Sequence, residues 1–507
     1  MTDILFEYDH ILIRSEYRTP DIHKHLAAHI VFGIKGELTC VVGEDTFKCR
    51  GAFIASDVEH TIYAETGDML LFLLDTTSEM ARSIQENFLC GNYYSLIDAA
   101  TVNSMADIWE MCADDLKKAD RRLLEACGIE EGFNPATDER VQKVAGRIHD
   151  SADWKRELIG LGDTAMKEGR TGNAIAYYRM SEFFMYDGDP DKKKYYEKAT
   201  ELFYEYYADF FEGEHPRIER ADVPFENVKL PVMHVVPEGE SKGTILIHGG
   251  NDSYFEEFLF TVLYMQEKGF EVYMFEGPGQ GGVMREQGMH FTHEWEKPVK
   301  AILDYFKLED VTIIGISLGG YLAPRAAAFD KRITKVVAWS VFPCFQDILV
   351  SMQPANVQKA FHILMKLHAR PMLNLVFGKK AKKSPIIDWG IKHGCYAYEA
   401  KDAYSYAKNL KLYDLAPVAD KITQDMLILG ANGDHFIDYT LIGREINMLK
   451  NVRSLTFRLF TDKEDAQNHC NVGNGQLTID VICEWIEQMD RKNRLSGKCQ
   501  ATKGSTF

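Results

Sequence analysis

The stretch Val311-Thr312-Ile313-Ile314-Gly315-Ile316-Ser317-Leu318-Gly319-Gly320 constrains this chain more than any other. A β-branched run that ends in Gly-x-Ser-x-Gly and opens into Tyr321-Leu322-Ala323-Pro324-Arg325-Ala326-Ala327-Ala328 predicts a buried strand, a sharp turn and a helix. The glycines let backbone approach backbone at the turn, and the strained serine between them keeps its hydroxyl exposed above the strand ends. Ser317 is therefore a candidate nucleophile. An ordinary Gly-Ser turn has the same pattern, so the order of its partners along the chain must decide.

That order is present. Asp425-Met426-Leu427-Ile428-Leu429-Gly430 reads as a short apolar strand, and the loop after it, Ala431-Asn432-Gly433-Asp434-His435-Phe436, offers Asp434. Ser454-Leu455-Thr456-Phe457-Arg458-Leu459-Phe460 reads as the last strand, followed by Asp465-Ala466-Gln467-Asn468-His469-Cys470 with its histidine. Serine, then acid, then histidine, each beyond a strand, is the chain order of an α/β-hydrolase triad. His435 and His248 are rival bases, but a neighbour of Asp434 in sequence is badly placed to bridge it to Ser317.

Upstream strands at Leu230–Val236, Gly243–His248, Glu271–Phe275 and Lys335–Ser340 alternate with amphipathic helices. Such alternation implies a mostly parallel sheet with its site at the carboxyl ends of the strands. His248-Gly249-Gly250-Asn251-Asp252 falls where an oxyanion donor belongs, so Gly250 or Asn251 is expected to add an N–H to that of Leu318. Residues 341–417 are too long for a connection and read as a helical cap. Within it, Asp347 either approaches the serine or faces solvent, and Lys379-Lys380-Ala381-Lys382-Lys383 reads either as a solvated loop or as a lure for an anionic substrate.

A net charge of −18 opposes phosphate binding, which excludes nucleic acid as the expected partner. No run of eighteen apolar residues occurs, and no basic segment precedes an apolar one at the start, so neither a membrane partner nor export is expected and the location reads as cytoplasmic. The ten cysteines lie scattered in apolar periodic segments and read as reduced core residues.

Residues 1–92 differ from the rest. Short alternating or apolar runs separated by turn signals such as Lys35-Gly36-Glu37 predict a small antiparallel barrel or sandwich. His23, His25 and His29 share strand parity, and with His60 they could converge on a divalent metal or line a polar pocket. The run His23-Lys24-His25-Leu26-Ala27-Ala28-His29-Ile30-Val31-Phe32-Gly33-Ile34-Lys35-Gly36-Glu37, with Gly51-Ala52-Phe53-Ile54-Ala55-Ser56-Asp57-Val58-Glu59-His60, resembles a cupin, specifically the ligand-sensing domain of AraC-type regulators. Metal-binding cupins usually carry a glutamate where this chain has His29, and Ala55, Ser56 and Asp57 replace the usual prolines and glycine. No helix-turn-helix module follows.

Residues 93–134 predict a helical linker in which Met105, Trp109, Cys112, Leu116, Ala119 and Leu123 form one stripe with Ser104 as cap. In sensor cupins such a helix pairs subunits, so a homodimer and a helix packed on its own barrel are both open. Gly132-Phe133-Asn134-Pro135 reads as the boundary, residues 135–222 as a helical layer with Tyr196, Ala199, Phe203, Tyr206 and Phe210 on one face, and residues 491–507 as a disordered tail.

From about Asp138 to Met489 the chain resembles the α/β-hydrolase family that contains 2,6-dihydroxypseudooxynicotine hydrolase and the fungal heptaketide (naphthopyrone) hydrolases, with the FrsA-like esterases as more distant relatives. The resemblance rests on His248-Gly249-Gly250-Asn251-Asp252-Ser253-Tyr254-Phe255-Glu256-Glu257, on Phe275-Glu276-Gly277-Pro278-Gly279-Gln280-Gly281, on the serine turn and on His469-Cys470. Glu276 stands where those proteins usually show aspartate. The resemblance implies an α/β-hydrolase fold with a helical N-terminal layer and a cap, a Ser317–Asp434–His469 triad without a cofactor, and cleavage of an ester or of a carbon–carbon bond beside a ketone in a small molecule. The other reading is a metabolite sensor whose cupin binds the ligand and whose hydrolase fold is a non-catalytic scaffold.

Overall fold

The computed structural model describes the chain except residues 1–2, 7–9, 16–21, 25–26, 65–67, 77–78, 113–114, 130–138, 187, 214–215 and 504–507. The chain divides into two compact units: Met1–Ile148 with Gly160–Ala176, and His149–Ile159 with Tyr177–Phe507. The cut thus falls inside the stretch expected to be one helical layer, and the expected boundary at 132–135 lies outside the described residues.

The first unit is a small β domain. Six strands, in the order Asp3–Phe6, His10–Ser15, Met69–Leu74, Ala28–Gly33, Gly51–Ile54 and Tyr94–Leu96, form one antiparallel sheet, and Asp45–Cys49, Leu38–Val42 and His60–Ala64 form a second. Every residue of Ala28–Gly33 is buried because both of its faces are covered. Val31 joins Leu38, Cys40, Val42 and Ile62 in one core, while Ile30 and Phe32 join Phe72, Met105, Trp109 and Leu123 in the other. The predicted linker stripe is therefore buried within its own unit. It is not one helix, however, but two, Ala99–Met111 and Leu116–Ala126. Nor does Ser104 cap it: Asp98 does, accepting the N–H groups of Ala100 and Thr101 at 2.9 and 3.0 Å, which settles two of the donors that a helix start leaves open.

The second unit is built on an eight-stranded sheet. Its strands are β1 (Glu219–Phe225), β2 (Val228–Val235), β3 (Thr244–His248), β4 (Glu271–Phe275), β5 (Val311–Ile316), β6 (Ile333–Trp339), β7 (Asp425–Ala431) and β8 (Ser454–Phe460), in the order β1-β2-β4-β3-β5-β6-β7-β8. β3 to β8 run parallel, and β1 and β2 pair antiparallel at one edge. β5 and β7 are buried at every residue, as strands covered on both faces must be, which is why they read as unbroken apolar runs. Between β6 and β7 lie five α-helices, Phe345–Ser351, Ala355–Lys366, Arg370–Ala381, Pro385–Ala397 and Ala403–Asn409. The lysine run belongs to the end of the third of these and the turn after it. The last helix, Gly475–Lys503, carries on through most of the stretch read as a disordered tail.

Candidate active site

At the end of β5, Ser317 has φ of +59°, in the left-handed region that L-residues avoid, and the helix Gly319–Phe329 begins two residues later. Such a conformation costs on the order of 1–3 kcal/mol and persists only where packing over-determines it. Gly315 supplies part of that packing, since a Cβ there would meet the Gly319 carbonyl oxygen at 2.2 Å.

The three side chains singled out from sequence converge here. His469 Nε2 lies 2.9 Å from Ser317 Oγ, and its Nδ1 lies 2.8 Å from Asp434 Oδ2. Asp434 is held from behind as its other oxygen accepts the N–H groups of Phe436 and Ile437 at 2.8 and 3.0 Å. Burial would raise the Asp434 carboxyl, but the hydrogen bond and charge of His469 and the two backbone donors outweigh it and hold it below the usual carboxylate range. Burial likewise disfavours a charged His469, yet the neighbouring Cys470 and the Asp434 carboxylate reverse that and raise the imidazole well above its ordinary value.

His469 sits in a tight turn whose next two residues, Cys470 and Asn471, have φ of +54° and +59°. Asn471 fastens that turn: its amide nitrogen donates to the Ala466 carbonyl at 2.8 Å and its oxygen accepts from the Trp339 indole at 2.9 Å.

Of the two residues expected to supply the second oxyanion N–H, Gly250 and Asn251, one is engaged elsewhere. Gly250 does pack against the serine, where a Cβ would lie 2.7 Å from Ser317 Cβ and 3.0 Å from Leu318 N. Its own N–H, however, donates to Ser253 Oγ at 2.8 Å, which leaves the N–H groups of Leu318 and Asn251 as the candidate donors to a developing oxyanion. Gln280 clamps the loop by donating to the carbonyls of Gly249 and Gly250 at 2.9 and 3.0 Å. From the cap, the Tyr398 hydroxyl donates to Asn251 Oδ1 at 2.6 Å, and Tyr398 stacks on Phe291 with ring centroids 5.0 Å apart. One step further along the loop, the fully buried Tyr254 donates to Glu182 at 2.6 Å, and Glu182 also pairs with Lys192 at 2.9 Å and Arg285 at 3.3 Å. Burial would raise Glu182, but Arg285, Lys192 and Arg179 bring it down to about 2.

Sequence reasoning singled out none of Gln280, Asn471, Tyr398 and Glu182. Gln280 at least stood inside a quoted motif. Asp252, in the oxyanion loop, is raised above the usual carboxylate range by burial against the charges of His469 and Arg285. Glu276 holds a loop rather than a reactant, accepting the N–H groups of Phe255 and Gly282 at 3.0 and 2.9 Å. Asp347 pairs with Arg444 and with His362 at 3.5 Å. The rival bases are used otherwise: His248 is fully buried, bonded to the Gly249 carbonyl and lowered to about 4 by burial, and the His435 ring lies 6.3 Å from that of His469.

In the first unit, His23 and His60 pair through their backbones at 3.0 and 2.9 Å, and the His60 ring has its centroid 4.7 Å from that of His23 and 4.5 Å from that of His29. His60 Nδ1 contacts the Val58 carbonyl oxygen at 2.7 Å, and burial lowers its pKa. His25 lies outside the described residues. Among the described residues, which leave out His25 of the expected set, no three His, Cys, Asp or Glu side chains are arranged to hold a metal ion.

The sheet order, the serine turn after β5 and the acid and histidine loops after β7 and β8 define an α/β-hydrolase fold, and residues 245–446 match the family model described as alpha/beta hydrolase fold. Over 303 residues the chain is 27% identical to "Hydrolase acrC" of Aspergillus aculeatus, a match spanning 54% of this chain and 69% of that protein. It spans only about half the length of other fungal hydrolases it matches. Among solved structures, one titled "AbyA5 Wildtype" superposes with a TM-score of 0.52 at 16% identity, covering 71% of this chain and 94% of its own. A 2,6-dihydroxy-pseudo-oxynicotine hydrolase gives 0.47 at 17% identity, covering 69% and 92%.

Proposed function

We propose that this protein is a serine hydrolase acting on a small acyl, ester or β-keto aromatic substrate. The observation that carries this reading is the unbroken relay from Ser317 Oγ through His469 to Asp434, with steps of 2.9 and 2.8 Å. A scaffold has no need of all three groups in register, nor of a serine kept at φ +59°.

In this reading His469 Nε2 takes the Ser317 proton as the oxygen attacks a carbonyl, and Asp434 holds the imidazole and stabilises its charged form. The oxyanion accepts from the N–H groups of Leu318 and Asn251, which cost no reorganisation at that moment. The protonated His469 then gives its proton to the leaving group, an alkoxide in an ester or an enolate or ring carbanion in a β-keto aromatic. Water, with His469 again as base, releases the acid and restores the serine. The β-rich first unit is read as a cupin-type appendage without an assigned metal.

A fluorophosphonate probe tests the reading directly. The native protein is expected to form one covalent adduct that Ser317→Ala abolishes; no adduct, or one that survives the substitution, overturns it. Hydrolysis of p-nitrophenyl esters measured beside acyl-phenols and β-diketones then assigns the bond cleaved.

A further inference from the structure

The cap carries a face that the hydrolytic chemistry does not use. Residues 348–387 contain seven Lys and Arg and no Asp or Glu, in a chain whose net charge is −18. They span the helices Ala355–Lys366 and Arg370–Ala381 and enter Pro385–Ala397. On the inner side Phe361 and Leu373 pack with Tyr404 and Ala407. On the outer side Ile363, Leu367, Met372, Leu375, Val376 and Ile386 are 43% to 70% exposed. Single exposed aliphatic residues are ordinary, but these six lie on, or one residue past, three consecutive helices that pack on one another. Lys366, Lys379, Lys382 and Lys383 accompany them, and none of these lysines pairs with a carboxylate among the described residues.

Charge selects the occupant. A second copy docked through a two-fold axis would set this cationic face against itself. Nucleic acid would match the charge but has no use for the aliphatic side chains. An anionic bilayer satisfies both, since aliphatic groups enter the boundary between headgroups and acyl chains while lysines stay at phosphate level. We propose that this outer face of the cap docks on an anionic lipid surface. The sequence predicts no membrane partner because it lacks a spanning run, and no helix among the described residues is long and apolar enough to cross a membrane. Peripheral docking requires neither.

The test is co-sedimentation of the full chain with phosphatidylcholine vesicles, with and without roughly 30% phosphatidylserine, at low and high salt. The chain is expected to pellet with the anionic vesicles at low salt and about tenfold less with neutral ones or at high salt. Leu375→Asp with Ile386→Asp, and separately Lys379→Glu with Lys383→Glu, are each expected to cut the bound fraction about tenfold with unchanged thermal melting. Absence of binding, or equal binding by neutral vesicles or by the variants, overturns the proposal. So does light scattering that shows a dimer split by Leu375→Asp with Ile386→Asp in a chain that ignores vesicles, for the face then belongs to a second copy.

Discussion

The Asn471 side chain is bonded to the Trp339 indole at 2.9 Å, so the turn that carries His469 is tied to the end of the strand beside the serine. That contact sets where the imidazole stands without touching a reactant. Removing it should free the turn more than it unfolds the protein.

Asn471→Ala is therefore expected to lower kcat by one to two orders of magnitude with KM little changed, since an ångström of misplacement costs about 100-fold. Trp339→Phe, which keeps the ring but loses the donor, should give part of the same loss. The two losses together should fall short of their product, because both break one bond. Steady-state kinetics on a p-nitrophenyl ester measures this, and full additivity would deny the coupling.

The pH profile follows from the direction in which His469 moves. In the proposed mechanism His469 serves as base only when neutral, and its folded pKa is raised well above 6.5. Activity should thus be lost as pH falls through a value on the alkaline side of 6.5, and the plateau should lie above it. Asp434→Asn should move that limb to lower pH and reduce the plateau by roughly three to four orders of magnitude. A limb at or below the ordinary histidine value in the parent would show that burial of His469 outweighs its partners.

Gly250→Ala isolates the close approach at the oxyanion loop. Its methyl would lie 2.7 Å from Ser317 Cβ and 3.0 Å from Leu318 N, nearer than such contacts allow, so either the loop or the serine turn must shift. Activity should fall at least about 100-fold, the scale of losing one oxyanion donor, while the protein stays folded by circular dichroism. Near-native turnover would mean that the loop has slack that the packing does not show.

What was legible in the sequence is what depends on local pattern. Ser317, Asp434 and His469 each follow a strand whose apolar run announces it, and the order of those strands brings their ends to one rim. What was not legible depends on partners distant in the chain. Trp339 and Asn471 are 132 positions apart, and Glu182 and Tyr254 are 72. The diversion of the Gly250 N–H to Ser253 turns on one side-chain rotamer, which no periodicity encodes. The stripe from Met105 to Leu123 kept its period across a helix break, because both helices face the same core.

Glu182 predicts a different kind of failure. It is fully buried, and it serves Lys192, Arg285 and Tyr254 at once. Glu182→Ala strips those cations of their carboxylate in a medium that punishes unpaired charge, for an expected loss of roughly 3–5 kcal/mol. Urea unfolding measures it, and a loss below about 1 kcal/mol would mean that water reaches the cluster. Because Tyr254 adjoins the oxyanion loop, kcat should also drop under conditions where the variant is still folded.

Glu445 should make stability fall as pH rises. It is completely buried, accepts only the Phe342 N–H at 3.0 Å among described partners, and burial pushes its carboxyl from 4.5 up to about 8. Between those values the unfolded chain has released the proton and the folded chain still holds it. The unfolded state therefore binds fewer protons, and stability declines with each pH unit by up to roughly 1.4 kcal/mol before levelling above the folded pKa. Glu445→Gln keeps the shape, cannot ionise and lacks this dependence. The difference in stability between variant and parent should move in favour of the variant by a few kcal/mol from about pH 5 to about pH 8, because groups common to both cancel. Urea midpoints at three pH values across that range measure it. Parallel curves for the two proteins would mean that Glu445 is already ionised in the folded state, with a counter-charge or water beside it.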